Sequence, residues 1–223
     1  MVLDFFRSGS EGSLEKIEQQ VQEMLADNET TFALATDAVF GRVDPEGVGK
    51  ELRKSDRQVN RGERSIRREL IVHAGVAGPA DYPLMLVYMS IIKDIERIGD
   101  YAKNIWDVAA AIEKGVDKPD LSELTPLFTR TLELMAEIGE IYAARDVDRA
   151  TEVLNRADNW LDEYDEAVEN LMTSYIPSTV GVPKALLYRH LKRVTAHLMN
   201  VLTAVVMPFD RLDYWDEDKI DRE

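Results

Sequence analysis

Four oxygen-bearing side chains, Glu96, Asp100, Asn104 and Asp107, recur at spacings of four, four and three. On a helix that spacing puts them on one face. A row of carboxylate and amide oxygens suits a hard or borderline cation. Taken alone it reads more readily as a solvated acidic face, with Arg97 and Lys103 alongside. Asp158, Asp162, Asp165 and Glu169 repeat the idea further along the chain.

A second set of acids breaks an apolar rhythm. Leu52, Val59, Ile66 and Leu70 mark a helical seam, and the intervening seam positions are Asp56, Glu63 and His73. An unpaired ionised carboxylate in a core costs several kcal/mol. A metal ion, a basic neighbour or exposure of that face has to compensate. The same segment carries Arg53, Arg57, Arg61, Arg64 and Arg68 as a basic stripe. It reads either as a docking surface for an acidic partner or phosphate, or as pairs with the chain's own acids. The large acid excess favours pairing.

Composition narrows the chemistry. The net charge of −15 argues against general nucleic-acid binding, which needs a basic surface. With no cysteine, disulfides and thiolate metal sites are excluded, and carboxylates are the main ligands beside His73, His190 and His197. A lone histidine near a seam, such as His190 or His197, reads as capped or solvated rather than as a ligand. A carboxylate-bridged di-metal enzyme would carry Glu-x-x-His pairs. None occurs, Glu69 and His73 being four apart, so the chain is not expected to be an enzyme. The apolar pair Phe5-Phe6, followed by Arg7, is too short for a secretory leader. No run approaches the roughly 18 apolar residues of a membrane span. A cytoplasmic location is the expectation.

These side chains need helices to position them. Leu84, Tyr88, Ile91, Ile95, Ile98, Ala102, Ile105, Ala109 and Ile112 alternate spacings of four and three, one seam down one helix face. Leu154 to Tyr175 and Leu187 to Val205 carry two more seams. Turn residues fall between them: Asp44-Pro45-Glu46-Gly47, Gly75 to Pro83, Gly115 to Ser122, Asp146, and Ile176 to Pro183. The expectation is an all-α chain of six long antiparallel helices at 11–41, 45–74, 80–115, 122–144, 146–174 and 180–212, with a frayed acidic tail from Asp213.

The six read as three repeated twice. A shift of 102 lays Phe40 on Tyr142, Asp44 on Asp146, Leu52 on Leu154 and Asp56 on Asp158. A shift of 96 lays Ile95 on Leu191, Arg97 on Arg193 and Asn104 on Asn200. The architecture is then two tandem three-helix bundles, residues 1–117 and 118–223.

The run Ile92-Lys93-Asp94-Ile95-Glu96-Arg97-Ile98-Gly99-Asp100-Tyr101-Ala102-Lys103-Asn104-Ile105 resembles the signature of the PhoU family, regulators of phosphate transport. Glycine inside a helix costs about 1 kcal/mol relative to alanine, so Gly99 points to a neighbour in close approach. The resemblance is strong over 45–115 and holds only in outline over 146–212. It implies a PhoU-like fold and multinuclear metal sites built from acids spaced by four on the second and third helices of each bundle. Carried over, the first site would use Asp56, Asn60 and Glu63 with Glu96 and Asp100, Asn60 standing where an acid is often found. The second would keep Asp158 and Asp162, while Lys192 and Ala196 replace the matching acids of the sixth helix. The implied cofactors are divalent or trivalent ions: iron, zinc, manganese or magnesium. The implied partners are the ATPase of a phosphate ABC transporter and a sensor histidine kinase, with a homodimer or other homo-oligomer, no nucleic acid, and contact with the membrane only through partners. The rival reading is a structural helical interaction module without metal.

Overall fold

The computed structural model describes residues 11–76, 79–116, 118–207, 209–212 and Trp215. The Phe5-Phe6 start and, Trp215 apart, the tail from Asp213 lie outside the described residues. Six helices follow in order: α1 (Glu11–Val39), α2 (Pro45–Val76), α3 (Tyr82–Lys114), α4 (Thr125–Ala144), α5 (Val147–Thr173) and α6 (Ser178–Val206). Short 3₁₀ turns sit at Pro79–Asp81, Ser122–Leu124 and Phe209–Arg211, and no strand occurs among the described residues.

Local chemistry sets several boundaries. The Asp44 carboxylate accepts from the Glu46 and Gly47 amides at 3.2 and 3.1 Å, and Pro45 opens α2 without needing an N–H. Asp146 caps α5, accepting from the Arg149 amide at 3.0 Å. The last helix stops at Val206, six residues short of the expected 212. Pro208 disfavours helical backbone in the residue before it, and Met207 is extended, with ψ 150°.

α1, α2 and α3 pack on one another, and α6 lies against both α4 and α5. The halves join where α3 lies on α6 and α1 on α4. One apolar cluster runs from Leu14 through Ile95 and Leu134 to Val205, so the core is continuous across both. The α6 seam is buried along its length and the α3 seam from Leu84 to Ala109, Ile112 being only partly covered. On α5, Leu154, Ala157 and Tyr164 are buried, but the expected seam fails at its end, where Tyr175 is fully exposed. Helix length explains this. At about 1.5 Å per residue, α4 is about 10 Å shorter than α5, and the end of α5 overhangs it.

The off-pattern residues of α2 are largely inside. Glu63 and His73 are buried with Leu52, Val59, Ile66 and Leu70. Their compensation is local: Arg67 pairs with Glu63 at 2.8 Å, and His73 Nε2 meets buried Asp81 Oδ2 at 2.9 Å. Gly99 has the close neighbour its position demands. The Asn28 side chain of α1 lies against it and donates to the Ile95 carbonyl at 2.5 Å. A Cβ at residue 99 would sit 2.7 Å from Asn28 Oδ1.

Gly99→Ala should therefore destabilise the protein by about 1–2 kcal/mol in urea unfolding, reversing the usual gain of about 1 kcal/mol from alanine in a helix. Adding Asn28→Ala to Gly99→Ala should recover part of the loss.

Candidate functional site

The acids singled out on α2 and α3 line the seam where these antiparallel helices meet. Asp56 and Asp100 share one cation: Lys103 Nζ lies 3.2 Å from Asp56 Oδ1 and 3.0 Å from Asp100 Oδ1. Burial alone would lower the Lys103 ammonium. Its hydrogen bonds to Asp100 and Asp56 outweigh that and raise it from the ordinary lysine value. Glu96, half-buried, receives Lys93 Nζ at 2.6 Å. Asn60 turns its amide onto its own helix, donating to the Asp56 carbonyl at 2.9 Å.

Five candidates of the first site are thus neighbours along one seam, but they do not converge. Glu63 is held by Arg67, Glu96 by Lys93, and Asp56 with Asp100 by Lys103. Among the described residues no three histidine, aspartate or glutamate side chains come together as a metal-holding group. As placed, the residues do not fit a metal cluster, because an ammonium stands between the two facing aspartates. In the second half, Asp158 is half-buried and Asp162 exposed on α5. The facing helix α6 supplies cations there: Lys192 and Arg189 both pair with Asp165.

A different polar cluster lies deeper, between α3 and α6. Asp94 is 7% exposed, and its Oδ1 meets His197 Nδ1 at 2.8 Å and Asn200 Nδ2 at 3.2 Å. Tyr101 stacks on the His197 ring at a centroid distance of 5.7 Å and accepts from Arg193 Nε at 3.3 Å. Sequence reasoning placed His197 near a seam as a capped or solvated residue. It is buried and paired across the two halves. The available signal was that Asp94, His197 and Asn200 each sit one position off an apolar seam, next to Ile95, Leu198 and Val201.

Above this cluster, the end of α3 and the start of α6 diverge around a cleft of about 680 Å³. Its walls include Val108, Ile112, Val116, Val182, Pro183 and Leu186, with Asp107 and His190 at its polar side. Burial pushes the His190 imidazole down, partly opposed by Asp107. Sequence periodicity carries no sign of this cleft.

Two substitutions test these networks. Lys103→Met should cost about 1 kcal/mol at neutral pH. It should also make added manganese raise the melting temperature of the variant above its effect on wild type; an equal response in both would show that Lys103 does not block a cation. Asp94→Ala leaves His197 and Asn200 buried without this acceptor and should cost about 2–4 kcal/mol in chemical unfolding. Asp94→Asn, which keeps an acceptor oxygen, should cost much less.

Comparison with known proteins agrees with this fold. Residues 21–109 match the model of the PhoU domain. A phosphate-specific transport system accessory protein PhoU homolog of Synechocystis is 28% identical over 207 residues, covering 89% of this chain and 90% of the relative. The Escherichia coli protein named phosphate-specific transport system accessory protein PhoU is 27% identical, covering 78% of this chain and 72% of its own. The crystal structure of PhoU from Pseudomonas aeruginosa superposes with a TM-score of 0.77 at 24% identity, covering 86% of this chain and 95% of that one.

Proposed function

We propose, for a chain that belongs to the PhoU family through the domain at residues 21–109, an accessory and regulatory role in phosphate transport. One observation carries it: two relatives that match this chain along most of both lengths are named accessory proteins of that system. In this reading the chain acts by binding rather than by catalysis. It is a cytoplasmic adaptor between the ATPase of a phosphate ABC transporter and a sensor histidine kinase.

Two features support an adaptor. Val116 is fully exposed, Val182 53% and Leu186 42% exposed, around the cleft between α3 and α6. Apolar surface kept open in this way suits a protein partner. The acid row on α2 and α3 is neutralised from within by Lys103, Lys93 and Arg67. The reading therefore needs no metal, and an iron, zinc, manganese or magnesium ion at Asp56 and Asp100 would have to displace Lys103.

Affinity capture of the tagged chain from its phosphate-fed host should retain the transporter ATPase or the kinase. Leu186→Asp should weaken that capture about tenfold or more, and deletion of the gene should switch on the phosphate-starvation response in rich medium. Capture of neither protein, together with an unaltered phosphate response on deletion, would overturn the proposal.

A further inference from the structure

The basic stripe of α2 does not pair as its surroundings lead one to expect. Arg57, Arg61, Arg64 and Arg68 are all exposed, and so are Lys50 and Lys54. None of the six makes an ion pair with a described residue, although the chain holds 42 acids against 27 lysines and arginines. At about 100° per residue the six fall within an arc of about 80°, over about 27 Å of helix. α2 seats its opposite face, Leu52, Val59, Ile66 and Leu70, on α1 and α3, so the arc points away from the protein. Of the acids on α2, only Glu46, in the first turn, shares the arc; Glu51, Asp56, Glu63 and Glu69 project elsewhere.

Beyond the last arginine aliphatic side chains take over, Val72 at the edge of the arc and Ile71 and Val76 flanking it by about 20° and 40°. Ile71 is 73%, Val72 63% and Val76 81% exposed. The face is thus a straight row of cations ending in exposed aliphatic side chains.

We infer that α2 is a docking surface for an anionic lipid bilayer, on which the helix lies flat. The six cations would meet lipid phosphates, and Ile71, Val72 and Val76 would enter the boundary between headgroups and acyl chains. A partner chain with acidic groups would satisfy the arginines but give no role to the aliphatic end, and the same holds for nucleic acid. The acid excess of the rest of the protein is no obstacle. Salt screens charges beyond about 8–10 Å; the nearer acids are Glu23 and Asp27 of α1, which line a pocket beside Arg61, and Glu51 and Glu69, which sit on the flank of α2 about 100° from the row. This contact is direct, in addition to any made through a transporter, and does not depend on the function proposed above.

The test is sedimentation of the purified full chain with phosphatidylcholine vesicles, with and without phosphatidylglycerol. Binding should require phosphatidylglycerol and weaken at least tenfold from low to high salt. The triple variant Arg57→Gln, Arg61→Gln, Arg64→Gln should lose about a hundredfold in affinity, at roughly fivefold per cation. Val72→Ser, which removes apolar area without adding charge, should weaken binding without changing its salt dependence. A control with Arg42→Gln, Arg149→Gln and Arg156→Gln, three arginines paired with acids elsewhere, should bind as wild type, with circular dichroism confirming that each variant is folded. The inference is overturned if anionic vesicles are not bound at low salt, if the control loses as much as the triple variant, or if polyglutamate or duplex DNA binds α2 more tightly than the vesicles do.

Discussion

The contact of α3 with α6 holds the molecule together. These two helices carry the longest unbroken apolar seams, and each serves as the inner helix of its own half. Into that apolar contact the chain places Asp94, His197 and Asn200. A buried polar group is costly to leave without its partner. The cluster therefore adds little net attraction, but it penalises any shift in register between α3 and α6. An apolar seam with a period of three and four can slide by a turn at modest cost. A buried carboxylate that must meet one imidazole and one amide cannot.

A similar logic governs the acid row between α2 and α3. Carboxylates on facing helices repel, and the structure answers with lysine and arginine drawn from the same two helices. Lys103 reaches across to Asp56 while staying within reach of Asp100, so one ammonium serves two helices. Arg67 and Lys93 act within their own helices, at spacings of four and three. What looks in one dimension like a cation-binding stripe is, in three, a charge-balanced seam.

Helix length decides which surfaces stay open. α4, with 20 residues, covers only part of its neighbours α5 and α6, of 27 and 29. Met172, Tyr175, Val182 and Leu186 stay in solvent, the last two beside the cleft that Val108 and Ile112 also line. On the other half, α2 is the outer helix, and its free face gathers exposed cations and aliphatic side chains. The two halves repeat one topology but present opposite chemistry: a basic outer helix in the first, and an acidic one, α5, in the second.

Sequence alone determined the helices, because apolar period, capping acids and proline positions are local properties. Six helices, their order, the seams of α3 and α6, and the need for a close neighbour at Gly99 were all legible before any coordinate. The off-pattern Asp56, Glu63 and His73 were legible too, as residues requiring compensation. The identity of the compensating groups was not. Asn28 against Gly99, Lys103 between Asp56 and Asp100, Asp81 with His73, and His197 with Asp94 join residues 3 to 103 positions apart, or sit at spacings shared with many surface pairs. The basic stripe shows the converse error: acid excess suggested internal pairing, whereas exposure on the outer face of α2 leaves Arg57, Arg61, Arg64 and Arg68 to solvent. Which charge meets which is set by how helices lie beside one another, and periodicity records only which side of a helix faces inward.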